Sequence, residues 1–302
     1  MRVSIVIPTF NRAQSLGRLM ESLDAVHGNN STQMEVLIVD NNSTDGTAEL
    51  LQQELVKPRG FELKVLNEPQ KGKASALNRG LAAARGDIFL VLDDDVIADC
   101  DCLLRHVEVY GGTSFAAVQG KILPGRDRVG QSADPKRLRE YNIPHIDYGE
   151  EMREIRGLTG TNMSFKREVF AKVGFFDARL GPGAAGFSED TEYSMRIRKA
   201  GFKIGYTPHA IVYHELNPNR YGRQYNRMVE YRKGLSRSLY RQDSIPFRVI
   251  PDLMANCVRY GLYRLLGKTQ KAYKTEGRIM KCWGYLAGKR RGVNSSDSHD
   301  QV

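Results

Sequence analysis

Three adjacent carboxylates, Asp93, Asp94 and Asp95, follow directly on the apolar run DIFLVL. Such a triplet repels itself and is costly unless a cation sits among its oxygens. Hard oxygen ligands suit Mg2+ or Mn2+, ions that keep several waters and grip a diphosphate. A solvated acidic turn capping the next helix has the same composition, but a place at the carboxyl end of a buried strand favours the metal. Asp40 closes a second apolar run, VLIVD, and opens DNNSTDGT, dense in turn and capping residues. Its carboxylate could accept hydrogen bonds from a base or ribose, or organise the turn; both readings stay open. Glu189 and Asp190 follow Ser188, a good N-cap, and acids in a first helical turn are favoured by the helix dipole. The same placement suits a general base held at a helix start beside the metal site. His214, in VYHE, is either a ligand completing the carboxylate site or an ordinary histidine.

Two nucleotide signatures are missing. No G-x-G-x-x-G follows the first apolar run, which speaks against a dinucleotide. Lys71–Ser75 (KGKAS) lacks the upstream glycine and the Lys-Ser/Thr pair of a phosphate loop, which speaks against a kinase or ATPase of that type.

Positioning these groups takes a sheet. Val3–Pro8, Glu35–Asp40, Glu62–Leu66 and Asp87–Leu92 are short, β-branched and almost wholly apolar, as strands covered on both faces are. Helical stretches lie between them at Ala13–Ala25, Thr47–Val56 and Ala74–Ala84. The alternation predicts an α/β doubly wound sheet, whose ligands bind beyond the carboxyl ends of the strands. Those ends carry Thr9–Arg12, Asp40–Asp45, Asn67–Lys73 and Asp93–Asp95. Residues 122–157 are rich in Gly, Pro and charge, and read as a long irregular segment of the functional or mobile kind. Regular structure returns with GTNMSFKREVF, a helix over Ser188–Ala200, a short strand Phe202–Tyr206, and AIVYHE.

At 302 residues, 41% of them apolar, the chain can bury a large core. No apolar run approaches the roughly eighteen residues of a membrane span, and RVSIVIPTF turns polar too soon for a signal peptide. Cys100, Cys102, Cys257 and Cys282 form neither a disulfide framework nor a zinc pattern, so reduced cysteines in a cytoplasmic protein are expected. The net charge of +10 is unevenly spread. Residues 1–215 hold 27 Lys/Arg against 29 Asp/Glu, whereas residues 216–302 hold 18 against 6. A near-neutral body with a basic C-terminal part points to two tasks on one chain.

Taken in order, VSIVIPTFNR, VLIVDNNSTDGT, KGKASALNRGLAAARGDIFLVLDDDV, GTNMSFKREVF and SEDTEYSMRIRKAGFKIGYTPHAIVYHE resemble the family 2 glycosyltransferases over residues 1 to about 215. The resemblance implies a GT-A fold with a mixed sheet, and an enzyme that moves a sugar from a nucleotide-sugar, a UDP-sugar by expectation, to an acceptor hydroxyl with inversion. It puts Pro8 and Thr9 at the nucleobase, Asp40 on the uracil, and Lys73 and Asn78 in the segment flanking the donor. Asp93 and Asp95 take the outer places of a D-x-D motif, with Asp94 between them on the donor side. Asp95 and His214 are the implied ligands of Mn2+ or Mg2+, Asp190 the implied base, and Glu189 and Asn162 the implied acceptor side. Two other readings stand beside this one: a nucleotidyltransferase on a related sheet, and a non-catalytic basic protein that binds membrane or nucleic acid.

One motif departs from the processive members of the family. Their Q-x-x-R-W is represented only by Gln224-Tyr225-Asn226-Arg227-Met228, which predicts addition of one sugar or a few, in polysaccharide or glycolipid synthesis of the bacterial type. Residues 216–302 are expected to form a mainly helical basic extension to the 1–215 catalytic domain, disordered from about 290. Ile250, Leu253, Met254, Cys257, Val258 and Leu262 recur at helical spacing, and Ile279, Met280, Trp283, Leu286 and Ala287 make a second stripe. These stripes either pack on the catalytic domain or each other, or present a cationic surface to anionic lipid, suited to a saccharide or lipid-linked acceptor at the inner face of the cell membrane. Nucleic acid is disfavoured, since no recognition motif accompanies the basic and aromatic residues.

Overall fold

Runs that are apolar on both faces need cover on both sides, and they obtain it by pairing in one layer between helices. The computed structural model describes residues 1–26, 33–125, 145–217, 220 and 222–290. The anticipated strands are β1 (Arg2–Thr9), β2 (Gln33–Asp40), β3 (Glu62–Asn67) and β4 (Ile88–Leu92), all mutually parallel in the order β3-β2-β1-β4. Beyond β4 the sheet becomes mixed. Strands β5 (Val96–Ala98), β6 (Ala117–Pro124), β8 (Asn162–Lys166) and β9 (Ile204–His214) continue it as β4-β8-β6-β9-β5, and β7 (Arg153–Ile155) pairs with β9.

Side chains alternate across β1. Val3, Ile5 and Ile7 pack with Leu16, Leu19 and Met20 of α1 (Ala13–Asp24) and with Leu103 of α4 (Cys102–Gly112). Val6 points to the other face, among Leu77 and Leu81 of α3 (Lys73–Ala83) and Tyr193 and Ile197 of α6 (Glu189–Lys199). Helices α2 (Thr47–Leu55) and α5 (Arg167–Val173) complete the layers.

The expected irregular segment is shorter than 122–157, because β6 reaches Pro124, Ile146 bridges to Ile122, and β7 occupies Arg153–Ile155. Its middle, 126–144, lies outside the described residues. The expected strands Phe202–Tyr206 and AIVYHE are one strand, β9, that runs through Pro208. Against β6 its register slips: Gly120 faces Thr207, but Lys121 faces Ile211. The extra residues 208–210 form a bulge, where a proline without an N–H does no harm.

The described residues fall into two compact units: 1–125, 145–178 and 189–216 in one, 179–188 and 217–290 in the other. Residues 179–188 thus group with the basic part rather than with the rest of 1–215. The second unit consists mainly of α7 (Arg223–Tyr240), a π-helical turn (Ile245–Val249), α8 (Ile250–Leu265) and α9 (Thr269–Arg290). A methyl group at Gly284 would collide with the Tyr231 carbonyl oxygen, and one at Gly234 with that of Lys281, so α7 and α9 meet backbone to backbone. The packed side of α9 is this small-residue side. Of the predicted second stripe, Ile279, Met280, Leu286 and Ala287 are half-buried and Trp283 is exposed. The C-terminal tail expected to be disordered, 291–302, lies outside the described residues.

Candidate active site

Five elements of the first unit bring their ends together. β1 delivers Pro8 and Thr9, β4 runs directly into Asp93–Asp95, β9 ends on His214, α3 begins with Lys73, and α6 begins with Glu189 and Asp190. Non-glycine residues with positive φ sit at three approaches: Asn11 after β1, Asn42 after β2, and Ser188 before α6. Backbone held in this sparsely populated region is characteristic of functional sites. Ser188, at φ 77°, does not have the extended backbone of an N-cap, so its expected capping role is replaced by this left-handed turn.

The three aspartates have separate environments. Asp93 pairs with the Lys73 ammonium through Oδ1, and its Oδ2 accepts the Thr161 hydroxyl at 2.7 Å. Burial works to raise the Asp93 pKa, but the Lys73 charge and these hydrogen bonds hold it below the ordinary carboxylate range. Asp94 accepts the Thr9 hydroxyl at 2.8 Å, yet burial, with the Asp95 charge adding to it, pushes its carboxyl up to about 7. Asp95 is buried; its Oδ1 stands 3.2 Å from His214 Nε2 and its Oδ2 3.7 Å from Arg12.

The histidine ring is oriented from behind. Its Nδ1 lies 2.7 Å from the Glu215 carbonyl oxygen, which can only accept, so Nδ1 carries the hydrogen. In the neutral ring Nε2 then turns a lone pair toward the Asp95 carboxylate, an arrangement that a cation between them would relieve. Ligand atoms of Asp93, Asp95 and His214 all lie within 4.8 Å of one another. Two carboxylates and an imidazole form a donor set that fits a divalent ion, and the nitrogen suits Mn2+ better than Mg2+.

Lys73 stands among carboxylates, paired with Asp93 and 3.9 Å from Glu189. Burial opposes its charge, but Asp93 and Glu189 outweigh burial and keep it protonated. Glu189 is pushed up to about 7 by burial and by its neighbour Asp190. Burial also raises Asp190, whose Oδ2 accepts the Gly160 N–H at 3.3 Å and whose Oδ1 accepts that of Thr191 at 2.6 Å. A buried carboxylate whose pKa is lifted is a better proton acceptor than an exposed one.

Asp40 organises its turn through Oδ1, which accepts the Ser43 N–H at 3.0 Å and hydroxyl at 2.5 Å. Asn78 uses both ends of its amide on the Phe176 backbone, at 2.9 and 2.8 Å, and so clamps one segment to α3. Asn162 is the residue expected on the acceptor side beside Glu189. It is completely buried, donates to the carbonyls of Lys121 (3.1 Å) and Ala210 (2.9 Å), and pairs with His106 Nε2 at 2.9 Å. Its amide satisfies the backbone groups that the β9 bulge frees, a structural task.

The sequence model of Glycosyl transferase family 2 matches residues 4–174, more than half of the chain. The chain belongs to glycosyltransferase family 2. It is 26% identical to the probable glycosyltransferase YdaM of Bacillus subtilis over 71% of its own length and 50% of that protein's. It is 28% identical to the glucosyl-dolichyl phosphate glucuronosyltransferase of Haloferax volcanii over 72% of its length and 70% of that protein's. Among solved structures, the mannosyltransferase PcManGT from Pyrobaculum calidifontis, in complex with GDP-Man and Mn2+, superposes with a TM-score of 0.59 at 17% identity, covering 99% of this chain and 76% of that one. S. aureus TarS 1-349 in complex with UDP superposes with a TM-score of 0.56 at 16% identity, covering 100% and 94%. These likenesses establish the GT-A fold expected from the motifs.

Three contributors to this cluster lie within the quoted motifs but were given no role from the sequence. Thr161 anchors Asp93; Gly160 donates to Asp190, and a methyl group there would stand 3.2 Å from the Lys73 ammonium; Arg12 faces Asp95. The available signals were the small residues of GTN and the arginine closing PTFNR.

Proposed function

We propose that this glycosyltransferase moves a sugar from a nucleotide-sugar, a UDP-sugar in the first instance, to an acceptor hydroxyl with inversion at the anomeric carbon. The observation that carries the reading is the cluster of Asp93, Asp95 and His214 at the strand ends of the sheet that also positions Asp190. Asp95 and His214 would hold a divalent cation, with Asp93 beside them. When bound, that ion neutralises charge on the leaving diphosphate. Asp190, held by the Gly160 and Thr191 N–H groups, takes the proton of the acceptor hydroxyl as its oxygen bonds to the anomeric carbon. The bond from that carbon to the diphosphate oxygen breaks, and the nucleoside diphosphate departs with the electron pair. Lys73 keeps Asp93 ionised, and Thr9, Asp40 and Pro8 line the nucleobase side. A nucleotidyltransferase would want a Gly-rich basic loop where this chain has PTFNR.

We place the acceptor among saccharides and lipid-linked saccharides at a membrane surface, a setting that the cationic second unit supports. The test of the donor is thermal stabilisation by UDP, GDP and their sugars, with and without Mn2+ or Mg2+. Metal-dependent stabilisation confined to uridine species is expected. Stabilisation by guanine species alone would overturn the UDP assignment, and a nucleotide response indifferent to metal would overturn the role assigned to the cluster.

A further inference from the structure

Apart from Leu253, the first apolar stripe of the C-terminal part does not pack inward. Helix α8 rests on its neighbours through Asn256, which is buried, and Leu253, Tyr260 and Tyr263, which are half-buried. Its opposite side carries Phe247 from the preceding turn, then Ile250, Met254, Val258, Leu262 and Leu265, all exposed. Met254, Val258 and Leu265 are 65%, 73% and 88% exposed. At 3.6 residues per turn these positions form one strip along the helix, with Arg264 on one margin and Arg259 on the other. Arg259, Arg264 and the following Lys268 are exposed and, among the described residues, belong to no ion pair.

We infer that the α8 face is a docking surface for an anionic lipid bilayer, with the helix lying in the interface plane. Charge decides the occupant. Residues 223–290 hold 16 Lys/Arg and 4 Asp/Glu, and three of those acids are already paired: Glu230 with Lys233, Asp243 with Arg237 and Arg248, and Glu276 with Arg223. A second copy would bring the same unpaired cations against these and leave them without counter-charge. Anionic headgroups supply that counter-charge while the acyl region takes the apolar strip, and the long Arg and Lys stems reach up to the headgroups from the margins. Among the described residues no helix is long and apolar enough to cross a membrane, and the 16 residues of α8 span only about 24 Å, which suits lying on it.

This inference names the surface behind the membrane setting proposed above, but it does not rest on the sugar-transfer chemistry. The test is sedimentation of the full chain with vesicles of phosphatidylcholine alone, or phosphatidylcholine mixed with phosphatidylglycerol, at low and high salt. Binding to the mixed vesicles, weakened by salt, is expected. Met254→Asp and Val258→Asp, both at exposed positions, should each lower it roughly tenfold or more. Arg259→Gln, Arg264→Gln and Lys268→Gln should each lower it about fivefold. Asp190→Asn should bind as wild type does, so that failure of the catalytic reading and failure of this one are separate results. Equal binding to both vesicle types overturns the inference, as does wild-type binding by Val258→Asp while the arginine variants lose it, the pattern of a generic polyanion or nucleic-acid site. A lipid-independent dimer that Val258→Asp dissolves, seen by analytical ultracentrifugation, also overturns it.

Discussion

Lys73 is the one cation paired with Asp93 among the described residues, and its removal tests whether the carboxylates of the site are held together by charge. In Lys73→Met the Asp93 carboxylate loses its partner while Glu189 and Asp190 remain nearby, all three in a buried setting. Breaking one side of a buried pair costs about 3–5 kcal/mol, and the 17% exposure that both side chains retain places this pair at about 3 kcal/mol. For a body of this size that is a fall of about 6–12 °C in Tm. Asp93→Asn should cost less, about 1 kcal/mol, because Lys73 keeps Glu189 at 3.9 Å and the new amide can still accept the Thr161 hydroxyl. The double variant should therefore cost about 1 kcal/mol or more less than the two single losses combined. Urea denaturation of the four proteins in metal-free buffer measures this. Additive losses, or a Lys73→Met protein as stable as wild type, would refute the idea that the Lys73 charge holds these carboxylates together.

Three further outcomes follow from the same geometry. Asp190→Asn should lower turnover on the order of a thousandfold while stability holds or rises, since burial already disfavours that carboxylate; a variant with near-normal turnover removes Asp190 as the base. Gly120→Ala should cost about 1–3 kcal/mol, because the added methyl would stand 2.5 Å from the Ala210 carbonyl oxygen and closer still to the Asn162 amide, and an unchanged denaturation midpoint would show that the bulge can give way. Buried Glu35 is held at about 2 against the desolvation that opposes its charge, by the Ser4 hydroxyl, the Arg85 N–H and the Lys64 ammonium. Its folded pKa lies below the ordinary 4.5, so its contribution is complete above about pH 4.5 and is lost as pH falls toward 2. Glu35→Gln should flatten that acid limb in denaturation midpoints taken across pH, and an unaltered limb would assign it to other carboxylates.

The parts of the fold that were legible are those whose physics is local. β1 to β4 show as continuous apolar runs because both faces are covered, and Asp93–Asp95 and His214 draw notice by standing at strand ends, although a solvated turn or an ordinary histidine would read the same way in the sequence. β6 escaped because Gln119, Gly120 and Lys121 interrupt its apolar pattern, and their burial depends on partners distant in sequence. Asn162 is hard to read for a related reason: a polar residue in a motif can serve a ligand or a neighbouring carbonyl, and composition does not distinguish the two. In α8 the periodicity revealed an apolar strip, but not which way it faces, since amphipathicity is the same whether the strip meets protein or lipid.

The bulge in β9 makes strand register, not strand length, what places His214. His214 stands opposite Val96, next to Asp95, only because residues 208–210 are looped out of register ahead of it. Were those three residues drawn into the ladder with the upstream pairing kept, His214 would be carried about 10 Å along the strand, away from the carboxylates, whereas their deletion would leave Ile211 facing Lys121 as before. No residue of the cluster would have changed. The bulge therefore takes up chain length ahead of the site, and relatives that retain every ligand but differ in length there would be expected to hold a cation alike.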